Sequence, residues 1–175
     1  MSEHLNSSTI QQYLAEVADE LPVDGTQRVV VLVGGALLAW HDLRDATRDV
    51  DSGSRLDSEI VAAIARVASR HGLAPKWFND SAAAFLPATF DRALCEVLIE
   101  SPTLRVLGAP WDQLFLMKLN ASRAIDTDDM EAIWPLCSNL PRLLPKRSSM
   151  RTPSNNPTSF WLTTSVELCK GNSHD

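Results

Sequence analysis

The sequence contains few cysteines and no long uninterrupted hydrophobic run. Its three cysteines, Cys95, Cys137 and Cys169, are odd in number and lack Cys-x-x-Cys spacing. This pattern argues against a disulfide scaffold or a zinc site and predicts a reducing, cytoplasmic location. The longest apolar run, residues 29–40, is interrupted by two glycines and is too short to span a bilayer. The first residues lack the basic and apolar segments of a signal peptide, so we expect no membrane partner.

The sequence also lacks an excess of positive charge. Lys and Arg number 16 against 22 Asp and Glu, which gives a formal net charge of −6. The chain as a whole is therefore not attracted to nucleic acid, although a local basic patch is compatible with this composition.

Composition predicts one folded domain followed by a tail. Hydrophobic residues make up 45% and charged residues 22% of the 175 residues, which is ordinary globular usage. From about residue 141 the chain becomes rich in Pro, Ser, Thr and Asn. We therefore expect a domain over residues 1–140 and a disordered tail over residues 141–175.

Hydrophobic periodicity predicts helices alternating with strands. Amphipathic stripes indicate helices over residues 8–21, with Ser8 and Gln11 as a capping box, and over about 59–71, ending at Gly72. β-Branched runs at residues 93–99 and 104–107 predict an antiparallel hairpin. Residues 111–120 are apolar almost all round, which predicts a buried helix. The expected fold class is α/β (α+β), with a small mixed sheet flanked by helices.

The most informative stretch is residues 28–51. A run of valines and leucine, Val29 to Val33, predicts a buried strand, and Gly34 and Gly35 follow it directly. Ala36–Trp40 then favours a short helix. The adjacent glycines fit neither the Gly-x-Gly-x-x-Gly fingerprint nor a P-loop. Taken alone, they are compatible with a simple strand-to-helix turn.

The same stretch ends on two aspartates, Asp49 and Asp51. Residues i and i+2 of a strand point to one face, so both carboxylates are expected side by side. Such a pair is repulsive unless a cation lies between its members, and Mg²⁺ prefers oxygen ligands of this kind. The alternative is a solvated strand edge with no chemical role.

Three motifs in this order resemble the nucleotidyltransferase superfamily. They are the strand–Gly-Gly–helix unit with Arg44-x-x-Thr-Arg-Asp-x-Asp51, then Trp77-Phe-Asn-Asp80, then Lys118-x(4)-Arg-x-x-Asp-x-x-Asp129. The pattern is most similar to the minimal bacterial branch that includes the AbiEii-like toxins of type IV toxin–antitoxin systems. The resemblance covers roughly residues 26–137.

The resemblance implies roles for particular residues. Asp49 and Asp51 would hold two Mg²⁺ ions, and Gly34 and Gly35 would face a nucleoside triphosphate. Positive charge for the phosphates would come from Arg48, Lys118 and Arg123. Three further aspartates would have supporting roles: Asp80, Asp126 and Asp129.

Members of the superfamily usually take a third carboxylate from a later strand. Glu96 and Glu100 are both candidates, and no motif selects one of them.

The polar Ser52-Gly-Ser54 that follows Asp51 departs from the family, in which apolar residues continue the strand. Asp80 has two interpretations, a cap for the turn at residues 81–85 or a position near the metal ions; the cap is slightly favoured.

Lys118 is the anomaly of the apolar helix. A lysine there must be paired or must extend to the surface, and a bound triphosphate would supply the missing anion. Arg123 lies about 140° further round an ideal helix, so spacing alone does not place both cations on one face. The simplest role for Arg123, Asp126 and Asp129 is a salt-bridge network.

The resemblance implies a Mg²⁺-dependent enzyme that moves a nucleoside monophosphate from an NTP to an acceptor hydroxyl. The acceptor is an RNA end, a protein or a small molecule, and an antitoxin protein is the implied partner if the chain is a toxin. The alternative is a degenerate, non-catalytic member that binds a nucleotide or a partner protein.

Overall fold

A computed structural model describes residues 4–121 and 126–138 of the chain. The helices are α1 (Ser7–Glu20), α2 (Gly34–Trp40), α3 (Ser58–His71), α4 (Trp111–Ala121) and α5 (Asp126–Ile133). The strands are β1 (Arg28–Val33), β2 (Val50–Ser52), β3 (Phe78–Asn79), β4 (Glu96–Glu100) and β5 (Leu104–Gly108). Short 3-10 turns cover three further segments: Ser81–Phe85, Arg92–Leu94 and Trp134–Leu136.

The five strands form one mixed sheet in the order β3-β2-β1-β5-β4. β1 is parallel to β5 and antiparallel to β2, while β3 runs parallel to β2 and β4 antiparallel to β5. The predicted α/β class with a small mixed sheet is therefore confirmed. The C-terminal side of residue 138, including the predicted tail and Cys169, lies outside the described residues.

The central strand is the most buried part of the sheet. Val30, Val31, Leu32 and Val33 are at most 1% exposed, as the β-branched run predicts. Helices α1 and α3 contribute apolar stripes to the same core, with Ile10, Leu14 and Val17 on α1 completely enclosed. This packing makes β1 a rigid base for the residues that follow it.

Two helix-end predictions have different outcomes. The capping box at Ser8 and Gln11 is wrong, because α1 begins one residue earlier and Asn6 is its N-cap, accepting a hydrogen bond from the Thr9 amide at 2.9 Å. The end of α3 at Gly72 is confirmed: this residue has φ +66° and its amide bonds the Ala68 carbonyl.

The hairpin and the apolar helix also form. β4 begins at Glu96, later than predicted, because residues 92–94 form a 3-10 turn. Burial of α4 on all sides is wrong, since Leu114, Phe115, Lys118 and Leu119 are buried while Asn120 is exposed. The helix therefore presents one face to the core, and Lys118 belongs to that face.

Candidate active site

The site begins where β1 ends. Gly34 takes φ +64°, and a Cβ atom on this residue would lie 3.2 Å from Asp51 Oδ2. Asp51 comes so close because Val33, the residue before the glycine, is its register partner on the neighbouring strand. A glycine fits here because its backbone adopts a positive φ and because the carboxylate occupies the space beside it.

Asp49 and Asp51 flank one buried residue. Val50 and Ser52 are fully buried, whereas Asp49 and Asp51 are partly exposed. Strand alternation places the two aspartates together on the opposite face from Val50. The strand itself begins at Val50, so Asp49 lies just before its first residue.

The polar Ser52-Gly53-Ser54 segment continues the pairing that a longer strand would have made. Ser54 Oγ accepts a hydrogen bond from the Val31 amide at 3.1 Å, and Gly53 N donates to the Val31 carbonyl at 2.7 Å. Ser52 Oγ donates to the Ser54 carbonyl at 2.7 Å. β2 is short, as expected, but these hydroxyl groups anchor the residues that follow Asp51 to β1.

Neither candidate for a third carboxylate lies beside Asp51. Glu100 pairs with Arg105 at 2.6 Å, and Glu96 lies 3.2 Å from His41 Nε2. Both belong to β4, which is separated from β2 by two strands and therefore by about 14 Å at the usual strand spacing. Within residues 4–121 and 126–138, no group of three or more His, Cys, Asp or Glu side chains could hold a metal ion.

The side chain next to Asp51 on the other side belongs to Asn79. The two residues are register partners in the parallel β2–β3 pair, so their side chains point to the same face. Asn79 Oδ1 accepts a hydrogen bond from the Ser81 amide at 2.9 Å. Asn79 belongs to the Trp77-Phe-Asn-Asp80 motif, but the sequence predicts no role for it, because a strand of two residues shows no alternating hydrophobic pattern.

Asp80 does not act as the predicted cap. Its carboxylate accepts a hydrogen bond from the Leu56 amide at 3.3 Å and lies 3.5 Å from Arg55 Nη1. Although Asp80 occupies the N-cap position of the turn at 81–85, its side chain makes no capping hydrogen bond there. Asp80 thus holds the segment that follows β2, and Asn79 supplies the oxygen that binds the Ser81 amide.

The second glycine is enclosed by two other side chains. A Cβ atom on Gly35 would lie 2.8 Å from Thr47 Oγ1 and 3.1 Å from Arg44 Nη1. Thr47 is fixed in turn, because its backbone exchanges two hydrogen bonds with Leu5 at 2.8 and 2.9 Å. Gly35 is therefore required by close contact, since real Cβ atoms do not approach other atoms to 2.8 Å.

Lys118 lies in a buried ion cluster. Its Nζ atom donates to Asp126 Oδ1 at 2.9 Å and to Asp129 Oδ2 at 2.6 Å. The same Asp129 oxygen accepts a hydrogen bond from Arg44 Nη1 at 3.1 Å. These four residues, Arg44, Lys118, Asp126 and Asp129, are called the buried cluster below.

The cluster corrects the interpretation of Lys118. Its side chain is only 7% exposed, so it does not extend to the surface. The premise that it lacks an anion is also wrong, because helix α5 supplies two carboxylates. The predicted salt-bridge network at Asp126 and Asp129 is present, with Lys118 and Arg44 as its cations. Arg123 lies outside the described residues, and the predicted contact of Lys118 with phosphate stays a prediction.

Arg44 and Arg48 both lie in the loop between α2 and β2. Arg48 is exposed and, in the described part of the chain, has no hydrogen-bond or ion-pair partner. Arg44 also borders an open polar cavity of about 460 Å³, together with residues from the start of α1 and the loop after α2: Asn6, Ser7, Ser8, Gln11, Asp42 and Asp45. Its guanidinium is thus reachable from outside while remaining tied to the buried cluster.

A strand followed directly by two glycines, with Asp49 just before the next strand and Asp51 on it, resembles a nucleotidyltransferase core. Comparison with protein families agrees: residues 10–134 match the family model described as nucleotidyltransferase of unknown function (DUF6036), and the chain belongs to this family. Comparisons with curated proteins and with solved structures gave no significant match. In the part of the chain that the structure describes, no helix is long and apolar enough to cross a membrane.

Proposed function

We propose that the protein transfers a nucleoside monophosphate from an NTP to an acceptor hydroxyl. The observation that carries this proposal is the approach of the Asp51 carboxylate to Gly34, where β1 ends and α2 begins. Family membership supports the general reaction class. The acceptor oxygen attacks the α-phosphorus, the bond to the bridging oxygen breaks, and pyrophosphate leaves.

Asp49 and Asp51 fit Mg²⁺, the cation that the resemblance implies. Asp51 lies on the short, anchored strand β2 and Asp49 lies just before it, and hard oxygen donors of this kind suit Mg²⁺. Bound there, the metal ions would neutralise charge at the phosphates and favour ionisation of the acceptor. The Asn79 amide group, on the same face of the next strand, completes a row of oxygen-bearing side chains.

The glycines let charged side chains come close to the backbone at the start of α2, because neither residue has a Cβ. Asp51 stands over one glycine, and Thr47 and Arg44 stand over the other. The resulting surface combines carboxylates for metal ions with a cation for phosphate oxygens.

The test is turnover of labelled NTP. Purified protein is incubated with Mg²⁺ and each α-labelled NTP, with transfer RNA, cell-extract protein or small hydroxyl compounds as acceptors. We expect labelled product from the native chain and at least a hundredfold loss in Asp49→Asn/Asp51→Asn, because both metal-binding charges are removed. Equal turnover by the double variant would overturn the metal assignment.

The matched control is Asp91→Asn. Asp91 is exposed and caps the turn at residues 92–94, away from β2. Its loss should leave turnover unchanged. A native chain that binds Mg-NTP but never turns it over would favour the alternative, a non-catalytic member that binds nucleotide.

A toxin role and an antitoxin partner rest on the resemblance to AbiEii-like proteins. Their test is growth of bacteria that express the chain from an inducible promoter. Growth arrest that depends on Asp49 and Asp51 would support the role; normal growth at high expression would count against it.

A further inference from the structure

Arg44 is held at two points. Nε donates to the Ala46 carbonyl at 3.1 Å, and Nη1 donates to Asp129 Oδ2 at 3.1 Å. Nη2 has no hydrogen-bond partner among residues 4–121 and 126–138, and the side chain is 34% exposed. The guanidinium is therefore fixed through Nε and Nη1, and its Nη2 group remains free to donate.

The guanidinium lies beside Gly35. Its Nη1 atom, which also donates to Asp129, is 3.1 Å from the point where a Cβ of that glycine would be, so a ligand that reaches the start of α2 would meet the guanidinium. Arg44 also borders the polar cavity next to the start of α1, so its side chain is open to solvent. Arginine suits phosphate oxygens because its planar group offers parallel N–H donors.

Lys118 is less well placed for that role. Its ammonium already donates to two carboxylates at 2.6 and 2.9 Å, and its side chain is almost fully enclosed. Within the buried cluster, two cations face two carboxylates, so Lys118 balances a charge that would otherwise oppose an incoming phosphate. Of the two cations, only Arg44 has exposed surface beside the glycines.

We propose that Arg44 binds phosphate oxygens of the NTP, and that Asp129 positions its guanidinium while Lys118 holds Asp129 in place. This inference rests on the proposed function, because it names the group that receives the triphosphate at that same site. Through this contact, Asp129 on helix α5 would influence nucleotide binding although it lies 85 residues after Arg44 in the chain. Asp129 and Lys118 are positioning residues, since they reach the phosphates through Arg44.

The first experiment is calorimetric titration with Mg²⁺ complexes of ATP, CTP, GTP and UTP, and with Mg²⁺–tripolyphosphate. Arg44→Gln should weaken binding of the tightest NTP by roughly 10- to 100-fold, the usual loss of a hydrogen bond to a charged group. Arg44→Lys, which keeps the charge, should recover part of that loss. Arg92→Gln, an exposed arginine on the turn at 92–94, is the matched control and should bind like the native chain.

The second experiment tests positioning with a double-mutant cycle. Asp129→Asn keeps an oxygen near Arg44 but removes the charge, and should weaken NTP binding several-fold. In a chain that already carries Arg44→Gln, Asp129→Asn should not weaken NTP binding further, because Asp129 acts on the phosphates only through Arg44. Additive losses would overturn the positioning role. Both single variants keep a partner for Lys118, and melting temperatures report whether each is folded.

The outcomes separate this inference from the proposed function. Suppose that the native chain binds an NTP and that Asp49→Asn/Asp51→Asn does not. If Arg44→Gln then binds the NTP as tightly as the native chain, only the proposed role of Arg44 is wrong. If the native chain binds none of the five compounds, the proposed function fails and this inference fails with it. A loss in Arg44→Gln for both NTP and tripolyphosphate supports contact with the phosphates rather than with the base.

Discussion

Two ion clusters in this protein differ in burial and in what they hold together. The buried cluster joins α4 and α5 to the loop before β2, and its lysine and two aspartates are each less than 10% exposed. The surface cluster joins α1 to α3 through five residues whose side chains are between 21% and 49% exposed: Glu16, Glu20, Arg66, Arg70 and His71.

The surface cluster needs no chemical role to explain it. Arg66 donates to Glu20 at 2.6 Å and Arg70 to Glu16 at 2.7 Å, and both arginine side chains are about half exposed. Pairs of this kind contribute little to stability because water screens them. They orient two helices that already share an apolar interface.

The buried cluster is costly by comparison. Removing a lysine and two carboxylates from water carries a desolvation penalty that their mutual attraction offsets only with good geometry. Apolar residues in the same volume would stabilise the fold as well or better. What distinguishes this cluster is that Arg44 connects it to Gly35, at the start of α2.

The largest expected effect follows from removing the cation of the buried cluster. Lys118→Met leaves Asp126 and Asp129 enclosed with Arg44 as the remaining described cation, and should destabilise the fold by about 3–5 kcal/mol. Urea unfolding of both proteins measures the difference.

Lys76→Met is the control for that change. Lys76 is exposed ahead of Trp77, and the same substitution there should shift stability by less than about 0.5 kcal/mol. If Lys118→Met proved as stable as the native chain, the proposed difference in stability between the two clusters would be wrong. The lysine would then be one of several equivalent ways to fill the space.

A smaller effect is expected from a methyl group beside the buried cluster. Gly35→Ala places Cβ 2.8 Å from Thr47 Oγ1, so the loop must shift, at a cost of about 1–3 kcal/mol. NTP binding should weaken as well, because Arg44 and Thr47 are displaced. Thermal unfolding and the calorimetric titration check the two effects.

Gly72→Ala supplies the matched variant on the side of the surface cluster. Gly72 has φ +66° with nothing within 4 Å of a Cβ, so alanine there should cost about 1–2 kcal/mol through backbone strain alone. NTP affinity should be unchanged. A loss of affinity in both variants would mean that lowered stability, not local displacement, explains the effect of Gly35→Ala.

Local pattern was sufficient for most of the fold. The valine run predicts β1, the i, i+3, i+4 stripes predict α1 and α3, and Gly72 marks a helix end by its need for positive φ. The two glycines are consecutive and the two aspartates are two residues apart, so the sequence shows both pairs directly. These features depend on contacts within a few residues.

The contacts that organise the site are long-range, and local pattern has no access to them. Arg44 meets Asp129 across 85 residues, and the partners of Lys118 lie 8 and 11 residues later on a separate helix. Asn79 lies beside Asp51 because the two residues are register partners in the β2–β3 pair, and β3 has only two residues. Arg44 stood inside the quoted motif, so its signal was available, but only packing shows which arginine of that loop faces the glycines.

The smallest expected effect concerns the surface cluster and pH. Hydrogen bonds from His71, then Gln12 and Arg70, lower the pKa of Glu16 from 4.5 to about 2. A carboxylate whose pKa is lowered in the folded state stabilises the fold above its unfolded pKa, and this contribution is lost as pH falls from about 4.5 towards 2. Because the pair is near the surface, its contribution should be only about 0.5–1 kcal/mol.

Glu16→Gln should therefore lower stability at pH 7 by that amount and leave stability near pH 2 almost unchanged. Glu131→Gln, on an exposed position of α5, is the control and should lower stability at neither pH. Denaturant unfolding at pH 7, 4 and 2.5 measures the three proteins. A Glu16 effect as large as that of Lys118→Met would contradict the distinction between the clusters, because a half-exposed pair would then stabilise the fold as strongly as an enclosed one.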